Sequence, residues 1–410
     1  MTSGSIADRG LLFSFVLLAA TVPLSIAASQ LALGLVLLFW IVKLVTGYHN
    51  RMLLTPLTYG LVAWVAVSVL AALLGDNPTA SLLALREEWL FLAFIALWGG
   101  ISARKQLRPI LIAFGTALLL SAGYAIWQHY TGLDLVHQVM LDQMPSGYRV
   151  HTTFTHPLTA GAVLSLLALL LLAVHFTAER GGRWLGLLVG SLGLLAAALT
   201  YSRSVLLAMA VGLVVLLLLL WRYFSWRALL PGVLLVASIL AIAPDIAIRF
   251  DQHRYYSTST GRVIDKPPGR LEIWQTAWRI FLDRPLTGVG EDNMLGRYEL
   301  YAPAGAVQSY ATAHNDLLHV AVTRGVLGVL AYGWLWFLLL RWFWRQFRAG
   351  PEVATSLAAV SLAIAGAYLA MSQFEAFWFD EEVRLALMFS LGLLAAVINL
   401  EPLRSRSLEE

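Results

Sequence analysis

The feature that most constrains this chain is a series of apolar runs about as long as a bilayer is thick. Residues 56–75 and 203–221, for example, contain almost no charged side chain, and a membrane-spanning helix needs about 20 such residues. Charged residues make up 13% of the chain and hydrophobic residues 59%, whereas a soluble domain carries about 25% charged residues. Lipid can solvate the outside of apolar helices, and a soluble core of this length cannot bury so much apolar surface. The pattern therefore predicts an all-α polytopic membrane protein.

The apolar runs predict about 12 transmembrane helices. They cover residues 11–28, 30–46, 56–75, 82–100, 108–128, 157–176, 184–201, 203–221, 228–247, 314–340, 353–373 and 383–400. The first run resembles a signal peptide, but a second run follows almost at once and indicates a retained helix. We therefore expect residues 1–410 to form a single integral membrane domain.

Two polar stretches interrupt the apolar pattern, at residues 129–156 and 248–313. The second lies between the ninth and tenth predicted helices. Within it, Gly269 to Phe281 has apolar residues at helical spacing and Pro285 follows, so we expect a short helix there. Its apolar stripe is expected to pack against the membrane surface or the helix bundle, and consists of Leu271, Trp274, Trp278 and Phe281.

The positions of the basic residues predict the orientation. Lys and Arg recur in every second loop, beginning at the N-terminus, and such loops face the cytoplasm. Both termini are then cytoplasmic, and residues 129–156 and 248–313 form a short segment and a long loop on the periplasmic side. The basic residues predicted on that side are all Arg except Lys266. Arg pairs with phosphate through two hydrogen bonds, whereas Lys is a point charge, so this bias indicates phosphate binding. Pairing with acidic residues on the same side is the alternative, and it explains the scarcity of Lys less well.

Two of these Arg residues stand at distinctive positions. Arg203 follows Tyr201 and Ser202 in a short turn between two predicted helices, and Arg270 begins the predicted loop helix. The N-terminus of a helix favours anions. As alternatives, Arg203 could extend to lipid headgroups, and Arg270 could form a local salt bridge.

His314 lies where the long polar loop becomes an apolar helix. Imidazole titrates near neutral pH, so a His at this membrane entrance is a candidate general base. The alternative is a capping segment in which Asn315 or Asp316 caps the helix.

The sequence favours chemistry without a metal or cofactor. It has no cysteine, no Walker motif and no Asp-x-Asp pair of a metal-dependent glycosyltransferase. His151 and His156 could form a metal-binding pair, but no nearby carboxylate completes it. We therefore expect no metal site, no cofactor and no nucleic-acid partner.

Several short motifs resemble the O-antigen ligase and polymerase superfamily over about residues 145–330. The motifs are the Arg149 to Pro157 segment with Phe154 and His156, Tyr201-Ser202-Arg203-Ser204, Gly269-Arg270 with Trp274, Pro285-Leu286-Thr287-Gly288-Val289-Gly290, and His314-Asn315 with Leu318, Gly325 and Gly328. Each motif is short, so the specificity lies in the set and its order. The resemblance is best to the ligase that completes lipopolysaccharide.

The resemblance implies a glycosyltransferase in the inner membrane of a bacterium. It would move O-antigen polysaccharide from undecaprenyl diphosphate to lipid A–core at the periplasmic face, with inversion and without a metal. His314 would be the catalytic base, and Arg203 and Arg270 would bind the diphosphate. The secondary candidates are Arg149, His156, Asn315, Tyr201 and Arg86.

Two alternatives stay open. The same motifs fit a polymerase that extends lipid-linked glycan. A transporter or flippase for that glycan belongs to another class, and transporters place ionisable residues near the membrane midplane. In this chain the charges gather at one face, except Arg86-Glu87-Glu88, which lies in an apolar run and could be an internal ion-paired site.

The predicted orientation can be tested by cysteine labelling, because the chain has no native cysteine. Ser259→Cys and Ser309→Cys should react in whole cells with a thiol reagent that cannot cross the inner membrane. Ser225→Cys, between the eighth and ninth predicted helices, should react only after the cells are broken. Labelling of the Ser225 variant alone in whole cells would reverse the orientation.

Overall fold

The computed structural model describes residues 6–46, 55–173, 180–221, 254–256, 263–265, 269–302 and 309–401. The chain within these ranges is predominantly helical. Its first seven helices are α1 (Ile6–Thr21), α2 (Ile26–Val45), α3 (Pro56–Leu74), α4 (Pro78–Ala84), α5 (Leu92–Gly100), α6 (Leu107–Thr131) and α7 (Pro157–Leu172). The other seven are α8 (Arg180–Ala198), α9 (Arg203–Leu220), α10 (Arg270–Asp283), α11 (Met294–Tyr301), α12 (Asp316–Ala349), α13 (Glu352–Met371) and α14 (Glu381–Asn399).

The strands of the described ranges are short and form two-stranded antiparallel hairpins. They pair β1 (Leu133–Asp134) with β2 (Val139–Met140), β3 (Gln143–Met144) with β4 (Gly147–Tyr148), and β5 (Arg254–Tyr256) with β6 (Val263–Asp265). The first two hairpins fill the polar stretch between α6 and α7. They are too small to form a core of their own, so their positions depend on the helices that they contact.

Six helical segments of the described ranges are long and apolar enough to cross a membrane, so the chain is a multi-pass membrane protein. They are Ile26–Val45, Pro56–Leu74, Arg104–Thr131, Arg203–Leu220, Asp316–Ala349 and Glu352–Met371. Two shorter apolar helices are Pro157–Leu172 and Trp184–Ala198. The span predicted at residues 228–247 lies outside the described residues, and the total of about 12 spans stays a prediction.

Several helices meet at one end of the bundle, which we call the loop face. There the backbone N–H of Val150 donates to Leu199 at the end of α8, and that of Asp316 donates to Ser372 after α13. The Thr159 hydroxyl on α7 also donates to the carboxylate of Asp380, at 2.7 Å. Side chains from distant parts of the sequence are therefore close together at this face.

The span predicted at residues 82–100 is not one continuous helix. It is divided into α4, a 3-10 segment over Leu85–Phe91 and α5. The 3-10 segment carries Glu87 and Glu88, which pair with buried Arg side chains of other helices. A regular apolar helix would not need this local geometry, and the ion pairs offer a physical reason for the break.

The short helix predicted within the long polar loop is present as α10, and it ends before Pro285. The residues that pack on the bundle differ in part from the predicted stripe, whose packing against the membrane surface stays a prediction. Leu271 and Trp278 are 65% and 52% exposed. The residues that pack into a small core with α11 and α12 are Ile273, Ala277 and Ile280. The helix has apolar residues on two sides, and the sequence pattern alone did not show which side contacts the bundle.

A kink in α12 lets a neighbouring loop segment join the bundle by backbone hydrogen bonds. Gly325 interrupts the helix with φ +65° and ψ −163°, a conformation that residues with a Cβ rarely adopt. The carbonyls of Val322 and Thr323 accept from the backbone N–H groups of Val289 and Gly290, at 2.9 and 3.0 Å. This pairing places the residue that follows Gly290 against the interior of the bundle.

That residue, Glu291, belongs to a buried ion cluster centred on Arg324, which is only 2% exposed. The Arg324 guanidinium donates to Glu291, to Glu88 at 3.2 Å and to Ser68 at 2.8 Å. Burial disfavours the charged form of Glu291, but Arg324 and His319 outweigh it and lower the pKa of Glu291 to about 2. The cluster therefore contains formal charges whose stability depends on their mutual pairing.

A second Arg extends this cluster. Arg384 on α14 lies 3.1 Å from a carboxylate oxygen of Glu87 and 3.6 Å from one of Glu88. The internal ion-paired site predicted around Arg86-Glu87-Glu88 is therefore formed by the two Glu residues, whereas Arg86 itself is exposed.

Removing the central guanidinium should destabilise the protein strongly. Arg324→Met keeps much of the side-chain volume but leaves Glu88 and Glu291 buried without their main partner, and such a loss costs about 3–5 kcal/mol. The matched control is Arg104→Met, which breaks an exposed 2.6 Å pair with Glu401 and should cost about 0–1 kcal/mol. Thermal unfolding in detergent, followed by tryptophan fluorescence, measures both. Equal melting temperatures for the two variants would contradict a structural role for the cluster.

Candidate active site

A cavity of about 340 Å³ opens between α7, the start of α12 and the turn that precedes α14. Its polar lining residues are His156, Thr159, Thr312, His314, Glu375 and Asp380. Two imidazoles and two carboxylates therefore face one space. The residues come from three separate parts of the sequence, which meet only at the loop face.

His314 is paired with a carboxylate that fixes its orientation. Its Nδ1 lies 2.6 Å from a carboxylate oxygen of Glu375, and Tyr310 contacts the ring edge-on with centroids 5.5 Å apart. The backbone of His314 is left-handed, with φ +46°. If Nδ1 carries the proton that is donated to Glu375, Nε2 is left with a free lone pair. This is the arrangement of an oriented base.

The Glu375 carboxylate is kept ionised by its neighbours. Burial opposes the charged form, but the hydrogen bond and charge of His314, the backbone N–H of Ala376 and the charge of Arg270 outweigh it. The pKa of Glu375 is therefore below its ordinary value. An ionised carboxylate at this position stabilises a positively charged imidazole, as a base requires when it accepts a proton.

Arg270 reaches the same region from the first turn of α10. Its guanidinium lies over the Phe374 ring, 5.8 Å from the centroid. Burial and the positive charge of Arg203 lower the pKa of Arg270, while Glu375 opposes that shift. The two Arg residues, 67 positions apart in the sequence, are therefore electrostatic neighbours. An anion that contacts both would relieve their repulsion.

Arg203 is exposed at the first position of α9, directly after a tight turn. Tyr201 in this turn has a left-handed backbone, with φ +51°, and a buried ring whose hydroxyl lies 2.7 Å from that of Ser146. The Nε of Arg149 donates to the carbonyl of Thr200 at 3.0 Å. The segment between α6 and α7 therefore supports the turn that presents Arg203.

His156 caps the N-terminus of α7, where its Nδ1 accepts from the backbone N–H of Leu158 at 3.2 Å. One side of the ring reaches solvent and the other faces the cavity. Partial burial and the positive charge of Arg149 lower the pKa of His156, against the opposing charges of Glu375 and Asp380. His156 is therefore an acceptor of hydrogen bonds at neutral pH.

The structure brings five of the sequence candidates into one region: Arg149, His156, Arg203, Arg270 and His314. Asn315 has a local role, because its side chain caps α12 by accepting from Leu318 at 2.9 Å. Tyr201 is part of the supporting turn. The exposed Arg86 lies in the 3-10 segment and is not among the residues that line the cavity.

Two carboxylates of the cavity were not predicted from the sequence. Glu375 and Asp380 lie in the short polar interval between the apolar helices α13 and α14. Acidic residues in so short a break between predicted spans were the available signal. Their relation to His314 could not be read from spacing, because it arises where separate helices pack.

The prediction that no carboxylate lies near His151 was wrong. Asp134 lies 3.6 Å from the Nε2 of His151, with His137 beside it. The partner of His151 is therefore this pair rather than His156, and neither Asp134 nor His137 was singled out in the sequence.

Residues 188–333 match the family model described as O-antigen ligase. Over these residues the chain is similar to the O-antigen ligase family. This match supports glycosyl transfer of the ligase or polymerase type in lipopolysaccharide biosynthesis. No curated protein sequence matches the chain. The matched O-antigen ligase segment includes Arg203, Arg270 and His314, whereas His156 and Glu375 lie outside it.

The charges around the cavity can be measured through His156. Arg149→Gln removes a positive charge that lowers the pKa of His156, so that pKa should rise. Glu375→Gln removes a negative charge that raises it, so the pKa should fall. A ¹³C NMR titration of labelled histidines in detergent measures both, with the His156 signal assigned by its loss in His156→Gln. Shifts of the same sign in the two variants would contradict this arrangement.

Proposed function

We propose that this protein is an O-antigen ligase. It transfers O-antigen polysaccharide from undecaprenyl diphosphate to lipid A–core at the periplasmic face of the inner membrane, with inversion at the anomeric carbon and without a metal ion. The observation that carries the proposal is the His314–Glu375 pair at the cavity, with Arg270 beside it on the Phe374 ring and Arg203 near enough to affect the pKa of Arg270.

The two Arg side chains are suited to a diphosphate leaving group. Breaking the bond between the anomeric carbon and the phosphate oxygen leaves the electron pair, and thus negative charge, on the undecaprenyl diphosphate. Guanidinium groups that already face this charge stabilise the transition state without reorganisation. The neighbouring positive charges of Arg203 and Arg270 match the multiple charge of a diphosphate better than that of a single carboxylate.

His314 is the proposed general base. A hydroxyl oxygen of the acceptor sugar attacks the anomeric carbon from the face opposite the leaving group, and its proton moves to Nε2 of His314. The carboxylate of Glu375 stabilises the imidazolium that results. Glu375 acts through His314 and is a positioning residue. Attack from the opposite face inverts the configuration of the sugar.

Transfer by the purified protein tests the function directly. The protein, purified in detergent without a chelator, receives lipid-linked O-antigen, with either lipid A–core or a second lipid-linked glycan as acceptor, in buffer without added Mg²⁺ or Mn²⁺. We expect product on lipid A–core. Longer carrier-linked glycan would identify a polymerase. No covalent product from either acceptor would leave transport of the glycan as the function, because an enzyme needs no gradient in this assay.

Removal of the proposed base should affect turnover more than folding. His314→Ala should lower kcat by about 10²–10⁴-fold, the usual contribution of general acid–base catalysis. Glu375→Gln should lower kcat less, because it removes the group that orients His314 and stabilises its positively charged form but leaves the base in place. Both are measured as initial rates on protein matched for expression and monodispersity. Near-normal turnover of folded His314→Ala would remove His314 from the mechanism.

Replacement of Arg203 by Lys separates geometry from charge. Lys keeps the charge but cannot form two parallel hydrogen bonds with a diphosphate. A lost charge-assisted hydrogen bond costs about 1.5–3 kcal/mol, which is more than tenfold in rate. Arg203→Lys should therefore be close to Arg203→Ala, and Arg270→Lys should be impaired more mildly because α10 can adjust.

The control for these variants is Arg279→Lys. Arg279 lies on α10 with Arg270 but is exposed, so this change should leave the initial rate near that of the wild type. An Arg203→Lys enzyme within about twofold of wild type at saturating donor would favour the alternative in which Arg203 only contacts lipid headgroups.

A further inference from the structure

We propose that Asp134, His137 and His151 bind one divalent transition-metal ion, of the class that includes Zn²⁺. The site lies between α6 and the segment that leads into α7. The ion would fix the β1–β2 hairpin and the chain around His151 in one arrangement. It is separate from the metal-independent transfer chemistry proposed above.

The three side chains offer one ligand atom each in a small volume. An oxygen of Asp134, Oδ2, lies 2.5 Å from Nδ1 of His137 and 3.6 Å from Nε2 of His151. All three ligand atoms lie within 4.8 Å of one another. Zinc binds nitrogen and carboxylate oxygen at about 2.0–2.2 Å, so tetrahedral ligand atoms are separated by about 3.4 Å. Small side-chain shifts are enough to surround an ion.

The Asp134 carboxylate is oriented so that Oδ2 faces both imidazoles, and its 2.5 Å hydrogen bond with Nδ1 of His137 would be replaced by bonds of both groups to the ion. Its other oxygen, Oδ1, accepts from the Tyr124 hydroxyl and from the backbone N–H of Val136, both at 2.9 Å. The carboxylate is 2% exposed. Metal-binding carboxylates are commonly held in this way by hydrogen bonds to the oxygen that does not bind the ion.

His151 is oriented by a hydrogen bond through the ring nitrogen that would not bind the ion. Its Nδ1 lies 2.6 Å from the carbonyl oxygen of Phe154, a contact that requires the proton on Nδ1. Nε2 then has a free lone pair in the neutral ring, directed at Asp134. A His that donates one ring N–H to a backbone carbonyl and binds with the other nitrogen is the usual form of a zinc ligand.

A hydrogen bond to Asp134 accounts for the position of His137, at 2.5 Å, but not for that of His151. The 3.6 Å separation of Nε2 and Oδ2 is too long for a hydrogen bond. Two imidazolium rings with centroids 5.5 Å apart would also repel each other across one buried carboxylate. A single divalent ion satisfies both neutral rings and the carboxylate at once, with water in the fourth position.

The site would influence the candidate active site through the chain on either side of His151. Gln128 on α6 accepts from the backbone N–H groups of His151 and Thr152, at 3.3 and 2.8 Å. Arg149 lies two residues before His151, and His156 lies five residues after it. An ion at His151 would therefore limit the movement of both. This consequence rests on the proposed function, whereas metal binding itself does not.

The test uses the full-length protein in detergent, stripped with a chelator and then titrated with Zn²⁺ or Co²⁺. We expect one Zn²⁺ per chain by elemental analysis after gel filtration, and a higher melting temperature than that of the stripped protein. Co²⁺ should give the intense visible absorption of a four-coordinate site. Failure of the stripped wild type to retain either ion would overturn the proposal.

Four variants locate the ion. His137→Gln and His151→Gln should abolish retention of Zn²⁺ and its effect on the melting temperature, and Tyr124→Phe should weaken binding by about 10–100-fold through the lost outer contact. His156→Gln, with its ring outside the cluster, should bind like the wild type. The His137 side chain is 30% exposed, so His137→Gln remains informative if His151→Gln does not fold.

Full Zn²⁺ retention in folded His137→Gln would place the ion elsewhere and reject this site. Because metal content and melting temperature are measured without any glycan substrate, a failed transfer assay and a failed metal titration are distinguishable.

Discussion

The buried pairing of Arg324 with Glu88 and Glu291 is the interaction on which the loop face depends. A guanidinium inside an apolar bundle is stable only when its charge and its hydrogen-bond donors are matched. The partners of Arg324 come from the 3-10 segment after α4 and from the loop segment paired with the kink at Gly325. The backbone of both segments is irregular where Glu88 and Glu291 are supplied. The need to pair the Arg324 charge is therefore linked to the local backbone geometry.

The candidate active site lies beside this cluster and has a different design. His314, Arg203 and Arg270 are partly or fully accessible at the cavity and loop surface, whereas Arg324 and Arg384 are enclosed. The enclosed charges are paired with carboxylates within the protein. The accessible ones combine two neighbouring guanidinium groups with an oriented imidazole, an arrangement that suits an anionic ligand bound next to a hydroxyl group.

Much of the helical framework could be predicted from the sequence, because lipid requires long uncharged segments and these are visible as runs. The loop helix α10 was also found, since its spacing is local information. The α10 residues that pack on the bundle were not identified, because they form a second apolar face and only the contact with α12 reveals it. Residues 82–100 were predicted as one span because the run is apolar on average. The Arg partners of Glu87 and Glu88 lie on other helices, so the sequence did not reveal the break in the helix.

In the candidate site, too, residues in local motifs could be predicted, whereas contacts between distant parts of the chain could not. Arg203 and His314 stand in short motifs at the ends of apolar runs and Arg270 begins the predicted loop helix, so each could be noticed alone. Glu375 and Asp134 acquire their importance from groups that are distant in sequence or on another element. A single sequence records neither the 2.6 Å contact of Glu375 with His314 nor the approach of Asp134 to His151. These were the contacts that sequence reasoning could not supply.

The left-handed backbone of three residues with side chains has a consequence for how such a protein can change. Thr152, Tyr201 and His314 have φ between +46° and +53°, and each lies in a segment that borders the proposed sites. Glycine would adopt the same backbone with less strain, which amounts to about 1–3 kcal/mol for a residue with a Cβ. At Thr152 and Tyr201 the buried side chains offset this strain by packing, whereas at the partly exposed His314 selection for heat resistance alone would favour glycine and selection for transfer would oppose it. Thermal stability and catalytic rate are expected to respond in opposite directions there.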